Sequence, residues 1–244
     1  MHPEKLQAFV LSSLDYGESD RIATLFTLEH GRLKVFARAA RASRKRFGPA
    51  LESCARIEAQ ARIGEGLCSL QQAEIVTLYP ALRADLTRIA HGLYACELIE
   101  ALTPEGHPLP RLFRLLTACL ERLESVGADE AERRFFEINL LNILGYRPSL
   151  ERCSRCGTCF EERGALMHGT GEPLCRSCAA TGRPVCPNAL LALSSCLATG
   201  TFGRVIFSRE ALADAGYLLD ETLAAHAGRK LKSLDFLRQV TAAD

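Results

Sequence analysis

The chain has 244 residues, of which 48% are apolar and 24% charged, and its formal net charge is +1. These values are typical of a globular protein and exclude a disordered chain, and the length is sufficient for two domains. Near the N-terminus the unbroken apolar run covers only residues 8–11. A signal peptide needs ~7–15 apolar residues and a membrane span ~18, so the sequence predicts a cytoplasmic protein with no membrane among its partners.

The first 80 residues predict five short strands separated by turn residues. We expect them at residues 7–14, 21–28, 31–38, 55–63 and 67–78. The clearest pattern is residues 55–63, where apolar residues alternate with polar and charged ones, as in a half-buried strand. Five strands in ~70 residues fit a small closed barrel of the OB type, and an SH3-like barrel fits the same pattern.

The third predicted strand and the loop after it, residues 31–47, gather much of the positive charge, and we name this segment the basic stretch. It holds seven cations and no acid, whereas the remaining 23 Lys and Arg are outnumbered by 29 Asp and Glu. The cations are Arg32, Lys34, Arg38, Arg41, Arg44, Lys45 and Arg46. Such a patch on an otherwise acidic chain indicates a site for a polyanion, in the first place nucleic acid, although a solvated face with a mobile loop gives the same pattern.

Alternation along the basic stretch predicts which side chains face outward. Leu33, Val35 and Ala37 should face the barrel interior. The opposite side would then carry Phe36 among the cations. An aromatic ring between cations suits single-stranded nucleic acid, and the alternative is that Phe36 packs beneath the edge of the barrel.

From Pro80 onward the apolar period changes from two to about three and a half, which predicts helices. Three are expected at residues 82–104, 109–127 and 129–144. Beyond a cysteine-rich segment, Asn188, Ser208 and Ser233 are the expected N-caps of three more. The predicted fold class is α+β, with an OB-type barrel domain at residues 1–80 and a helical domain at residues 81–244.

The chain has 11 cysteines, which in a reducing compartment indicate free thiols and metal ligation rather than disulfides. Cys153, Cys156, Cys175 and Cys178 form two CxxC pairs separated by 18 residues. Each pair can present two sulfurs to one ion from a tight turn, and two pairs complete a tetrahedron. An insert at residues 149–186 is thus predicted to bind one structural Zn²⁺ per chain, because four thiolates leave no position for a catalytic water.

Other cysteines and one histidine leave alternatives to this ligand set. Cys159 extends the first pair to CxxCxxC, as in iron–sulfur proteins, but a ferredoxin-type fourth cysteine follows three residues later and Cys186 lies much further on. We expect Cys159 and Cys186 to be spare thiols. His168 could replace a zinc ligand or belong to a surface loop. The remaining cysteines fall in apolar patterns typical of a core: Cys54, Cys68, Cys96, Cys119 and Cys196.

No catalytic motif was found: the sequence contains no Walker A loop, GxGxxG after a strand, HExxH or GxSxG. Asp15, Glu18 and Asp20 cluster in one predicted turn and could suggest a metal-dependent nuclease. Ordinary turn chemistry accounts for them more simply. The sequence therefore predicts a protein that is not an enzyme and has no small-molecule substrate.

Three stretches of the chain resemble one known family. They are DYGESDRIATLFTLEHGRLKVFARAARASRKRFGPALE at residues 15–52, NLLNILGYRPSLERCSRCG at residues 139–157 and HAGRKLKSLDFL at residues 226–237. Together they resemble the RecO recombination mediators of bacteria, and the resemblance covers nearly the full chain. It implies an OB barrel followed by a helical domain with a zinc-binding insert. Some members of that family lack the four cysteines, so the metal is not required for the shared activity.

The resemblance also implies a function in DNA repair without catalysis, in the cytoplasm and associated with the nucleoid. Such a protein binds single- and double-stranded DNA, anneals complementary strands and, with RecR, helps RecA replace single-strand-binding protein. DNA binding is then expected at the seven cations of the basic stretch. The acidic, apolar C-terminal tail of single-strand-binding protein is expected on the helical domain, with Arg229, Lys230 and Lys232 as candidate contacts.

Two other classes of protein remain open from the sequence. One is a zinc-ribbon and OB-fold factor that acts on RNA or in transcription. The other is a metal-dependent nucleic-acid enzyme that uses Asp15, Glu18 and Asp20.

Overall fold

The computed structural model describes residues 2–43, 46–64, 66–160, 164–167 and 172–241. The chain divides into two compact units. Unit 1 comprises Met1–Gly127 and Leu231–Asp244, and unit 2 comprises Ala128–Lys230. The ranges of these units differ from the domain ranges 1–80 and 81–244, so that division of the chain stays a prediction. Among the described residues, no helix combines the length and apolarity required to cross a bilayer.

Unit 1 begins with five strands that close into a barrel. They are β1 (Glu4–Tyr16), β2 (Asp20–Thr27), β3 (Gly31–Ala37), β4 (Arg56–Arg62) and β5 (Cys68–Thr77). Their order around the barrel is β1-β2-β3-β5-β4. The β3–β5 pair is parallel and the other pairs are antiparallel. The predicted OB-type barrel, followed by helices, is confirmed.

The first strand is long enough to pair with two other strands, one along each of its edges. Its 13 residues pair with β4 over Glu4–Phe9 and with β2 from Ala8 to Tyr16. The register shifts between Val10 and Ser12, where an irregularity bends the strand from one sheet segment into the next. The predicted strand ended at residue 14, whereas β1 continues to Tyr16.

Alternating small apolar residues fill the barrel interior, which has room for side chains of modest size only. On β3 the buried residues are Leu33, Val35 and Ala37, as the alternation predicted. On β1 and β4, which pair with each other, the interior-facing residues are Leu6, Ala8, Val10, Ile57, Ala59 and Ala61. Between β3 and β4, Phe47 and Leu51 also join this core.

Four helices complete unit 1: α1 (Pro80–Arg83), α2 (Leu86–Leu102), α3 (Pro110–Ser125) and α7 (Lys232–Thr241). The helix predicted from residue 82 is divided, because the Asp85 side chain accepts the Arg88 N–H at 2.9 Å and caps a new helix there. The prediction of Ser233 as an N-cap is wrong. Ser233 lies inside α7, and Glu97 of α2 accepts its N–H at 2.7 Å.

The described part of unit 2 contains three helices and a small sheet. The helices are α4 (Glu130–Leu144), α5 (Pro187–Thr199) and α6 (Arg209–Ala227), and the strands are β6 (Ala165–Met167), β7 (Pro173–Leu174) and β8 (Arg183–Val185) in the order β7-β6-β8. Ser208 caps α6 as predicted, since its hydroxyl accepts the Ala211 N–H. The prediction of Asn188 as a cap is wrong, because Cys186 occupies the N-cap of α5 and Pro187 follows it.

A loop between α2 and α3 lies along the start of β3 and is held there by backbone contacts. The Gly106 N–H donates to the Arg32 carbonyl at 2.9 Å. Gly31 has φ of +67°, and a Cβ at this position would lie 1.8 Å from the carbonyl oxygen of His107. Only glycine meets both demands, because its backbone adopts this conformation freely and it has no Cβ.

We predict that Gly31→Ala lowers the free energy of unfolding by about 2–3 kcal/mol, since it combines the left-handed backbone penalty with a collision against His107. Gly17→Ala is the matched control, because Gly17 has φ of +60° but no atom within 4 Å of the added Cβ. That variant should lower the free energy of unfolding by only about 1 kcal/mol. Urea unfolding of both variants measures the difference. Equal decreases in the free energy of unfolding of the two variants would show that the loop moves away from β3 at no energetic cost.

Candidate nucleic-acid interface and metal centre

The cations of the basic stretch lie in different environments. On β3, the pairing with β2 places Arg32 opposite Phe26, Lys34 opposite Thr24 and Phe36 opposite Ile22. The Lys34 side chain is 52% exposed, whereas that of Arg32 is only 16% exposed. The two cations therefore differ in what they can offer to a ligand.

Glu105, in the loop between α2 and α3, contacts both of these cations. Its Oε1 lies 3.2 Å from Nη1 of Arg32 and 3.3 Å from Nζ of Lys34. The Arg32 Nε also donates to the Thr103 carbonyl at 2.9 Å. Arg32 thus holds the loop against β3, while Lys34 shares one carboxylate oxygen and keeps much of its side chain in water.

Three described cations follow β3 in the loop. Arg38 is exposed and makes no ion pair with any residue that the structure describes. Arg41 donates to the Glu18 carbonyl at 3.2 Å and lies 3.7 Å from Asp15. Arg46 donates to the Ser43 hydroxyl and to the Arg38 carbonyl, so its guanidinium organises the loop. The predicted contacts Arg44 and Lys45 lie outside the described residues.

Phe36 is half-buried on the outer side of β3 and contacts a second aromatic ring. The rings of Phe36 and Tyr16 meet edge to face, with centroids 6.0 Å apart and an interplanar angle of 82°. Tyr16 is 56% exposed. Sequence reasoning missed Tyr16 because it assigned this residue to a turn. The available signal was the continued spacing of Leu14 and Tyr16 on one side of an extended strand.

The acids that suggested a nuclease contact other residues of the barrel. Asp15 lies in β1 and accepts from Nε of Arg21 at 2.8 Å. Asp20 accepts the backbone N–H of Ala39 at 2.7 Å. Only Glu18 lies in the turn between the strands. Among the described residues, the groups of side chains that could share a metal ion do not include these acids.

The four cysteines of the two CxxC pairs come together in unit 2. Their sulfurs all lie within 4.8 Å of one another, and those of Cys156 and Cys175 are 3.6 Å apart. A tetrahedral zinc ion with Zn–S bonds of ~2.3 Å needs sulfurs ~3.8 Å apart. The observed group therefore has the dimensions of a four-thiolate zinc site.

Each CxxC pair forms the tight turn that such a site requires. In the first, the Gly157 N–H donates to the Cys153 carbonyl at 2.9 Å. In the second, the Ala179 N–H donates to the Cys175 carbonyl at 3.0 Å. Both residues donate this backbone hydrogen bond, but only Gly157 does so with a positive φ, of +74°.

The backbone around the sulfurs favours thiolate. Burial of the Cys153 thiol raises its pKa, but nearby backbone N–H groups, including that of Cys175, outweigh burial and lower the pKa to about 6. The hydrogen bond with Cys156, together with burial, raises the pKa of Cys178 to about 12. Four adjacent sulfurs cannot all carry charge without a cation, which a divalent metal ion would supply.

The two spare thiols lie outside the four-cysteine group. Cys159 is exposed. Cys186 caps α5, and its N–H donates to Asp214, whose carboxylate also lies 3.7 Å from Arg183. His168 lies outside the described residues. The five cysteines assigned to apolar patterns are all buried: Cys54, Cys68, Cys96, Cys119 and Cys196.

The candidate contacts for a partner tail fall near the end of α6 and the start of α7. Arg229 and Lys230 are exposed and follow Gly228, which ends α6 in unit 2. Lys232 is the first residue of α7 and belongs to unit 1. Its backbone N–H donates to Glu97 at 3.3 Å.

The barrel topology places the chain in the class of OB-fold proteins, which bind oligonucleotides or oligosaccharides on the outer face of strands two and three. Family models described as "Recombination protein O N terminal" and "Recombination protein O C terminal" match residues 1–79 and 83–235. The chain belongs to the RecO family, as the sequence resemblance predicted.

Relatives named "DNA repair protein RecO" support this assignment over nearly the whole chain. The relative from Pelobacter propionicus is 64% identical over 242 residues, which cover 99% of this chain and 98% of the relative. The one from Geobacter sulfurreducens is 50% identical, covering 99% and 100%. The one from Myxococcus xanthus is 39% identical, covering 96% of each.

Proposed function

We propose that this protein is a non-enzymatic recombination mediator in DNA repair. Membership in the RecO family supports a function in DNA repair and recombination. The observation that carries the proposal is the exposed, cationic outer face of β3 and the loop after it, on the side of an OB barrel where oligonucleotides bind. The proposed activity is binding of single- and double-stranded DNA and annealing of complementary strands.

The proposed phosphate contacts are the cations that remain available to a ligand. Lys34 and Arg38 are exposed on and after β3, and Arg41 is half-exposed beside them. We include Arg44 and Lys45 from the basic stretch. Arg32 and Arg46 instead hold the surrounding loops through their hydrogen bonds, and they support the site without direct contact to phosphate.

The proposed partners follow from the family and from the annealing activity. RecR is the protein with which this chain would help RecA replace single-strand-binding protein on DNA. The C-terminal tail of single-strand-binding protein would bind near Arg229, Lys230 and Lys232, whose exposed cations complement an acidic tail.

The central experiment measures annealing of complementary strands that are coated with single-strand-binding protein. The proposal expects annealing to continue on coated DNA, and no annealing under any condition would contradict it. Binding to structured RNA in parallel tests the transcription or RNA alternative. Labelled DNA incubated with Mg²⁺ tests the enzyme alternative, for which the expected result is intact DNA.

The double variant Arg38→Gln/Arg41→Gln should weaken binding to single-stranded DNA of every sequence. Each lost phosphate contact reduces the slope of log affinity against log salt by ~0.7, so the slope should fall by about 1.4. The matched control is Lys5→Gln/Arg62→Gln, which removes two exposed cations from β1 and β4. Fluorescence anisotropy at several salt concentrations measures both. A slope unchanged in the folded double variant would place the DNA site elsewhere.

We propose that the four-cysteine group binds one Zn²⁺ per chain. Cys175→Ser should reduce the zinc content of the purified protein, and Cys159→Ser should leave it at one ion, since Cys159 lies outside the group. Elemental analysis measures the zinc content of both variants.

Removal of the metal by a chelator should unfold the segment around β6–β8 first, because short strands of two or three residues depend on the ion for their order. Zinc-free protein with intact structure would refute the proposal.

A peptide with the sequence of the C-terminal tail of single-strand-binding protein should bind the chain. Arg229→Ala/Lys230→Ala should weaken that binding, because two cations that complement the acidic tail are lost. Lys232→Ala, at the third candidate contact, should weaken that binding as well. Titration by calorimetry measures the three affinities. Full affinity in the double variant would mean that the tail binds another surface.

A further inference from the structure

An apolar row crosses three strands on the outer surface of the barrel. The β1–β2 pairing places Leu14 opposite Ile22, and the β2–β3 pairing places Ile22 opposite Phe36. Leu14 is 71% exposed, and Ile22 and Phe36 are half-buried. Tyr16 lies two residues beyond Leu14, and its ring contacts the edge of Phe36. Single exposed apolar side chains are common on proteins, but a continuous row of them marks a binding surface.

The charges beside this row indicate what it binds. Lys34 lies two residues before Phe36 and therefore on the same outer side of β3, and Arg38 follows the end of β3 in the turn. Lys34 is 52% exposed, and Arg38 is exposed without an ion pair to a described residue. Aromatic rings between two cations fit a ligand with both flat apolar faces and negative charge.

We infer that Tyr16 and Phe36 form a base-stacking site for the unpaired bases of single-stranded DNA. The exposed ring of Tyr16 receives the face of a base, Phe36 supports Tyr16 from its edge, and the neighbouring phosphates contact Lys34 and Arg38. This inference rests on the proposed DNA-binding function and adds a residue and a ligand class to it. Duplex DNA keeps its bases stacked inside the helix, so this site would bind single strands and not the duplex.

Two substitutions of Tyr16 distinguish stacking of its ring on a base from other functions of the side chain. Tyr16→Leu keeps an apolar side chain beside Phe36 but removes the aromatic face, and Tyr16→Phe keeps the face and removes the hydroxyl. Because the Tyr16 side chain is largely exposed, both variants leave the barrel core intact. Tyr146→Leu is the matched control, since it removes a partly exposed tyrosine from unit 2.

Three probes of equal length are needed: a single-stranded oligonucleotide, an abasic strand that has phosphates without bases, and a duplex. Tyr16→Leu should lower affinity for the single strand by about 5- to 150-fold, the range measured for loss of one stacked base. Its affinity for the abasic strand and the duplex, and its salt slope, should not change. Tyr16→Phe and Tyr146→Leu should bind all three probes as the parent does.

A direct signal comes from tyrosine fluorescence, because the chain has five tyrosines and no tryptophan. Single-stranded DNA should quench part of this emission in the parent protein and less in Tyr16→Leu. Normal single-strand affinity in Tyr16→Leu would overturn the inference and assign the row to an apolar protein partner. Equal losses on single and abasic strands would also overturn it. A parent protein that binds none of the probes would instead refute the proposed function itself.

Discussion

The arrangement of β3 within the barrel is the constraint on which the candidate interface depends. This strand pairs with β2 over seven residues but with β5 over only two, Val35 with Cys68 and Phe36 with Ser69, and this short parallel contact closes the barrel. Closure requires the apolar side of β3 to face the core, so its cationic and aromatic side must face outward from the barrel. A slip by one residue would bury lysine and expose valine. The register that stabilises the fold is therefore also the register that presents the proposed DNA-binding face.

Features that depend on residues close together in the chain could be predicted from the sequence. The period-two pattern predicted the barrel strands and the buried side of β3, and the spacing of Cys153, Cys156, Cys175 and Cys178 predicted a group that the fold brings together. The contacts that individual cations make could not be predicted from the sequence. Arg32 is held by Thr103 and Glu105, which follow about 70 residues later, and only tertiary structure brings such residues into contact.

The helix termini show the same limit. Cap predictions were correct at Ser208, whose hydroxyl accepts an N–H from its own helix. They were wrong at α7, because a carboxylate from another helix, Glu97, accepts its first N–H groups. Asp85 was missed because the apolar period runs through it, although its side chain starts a new helix. Periodicity records which face is buried, but it does not record where one helix ends and the next begins.

The return of α7 to unit 1 determines when that unit can be completed. Unit 2 is inserted between Gly127 and Leu231, so the last helix of unit 1 leaves the ribosome only after all of unit 2. Until then, α2 lacks its partner α7, which carries the buried residues Leu237 and Val240. The two carboxylate oxygens of Glu97 likewise have no helix terminus to cap. Unit 1 is thus the first to be synthesised and the last to be finished. Until α7 is made, the nascent chain carries an unpaired apolar face on α2, and the N-terminal unit depends on C-terminal residues for its completion.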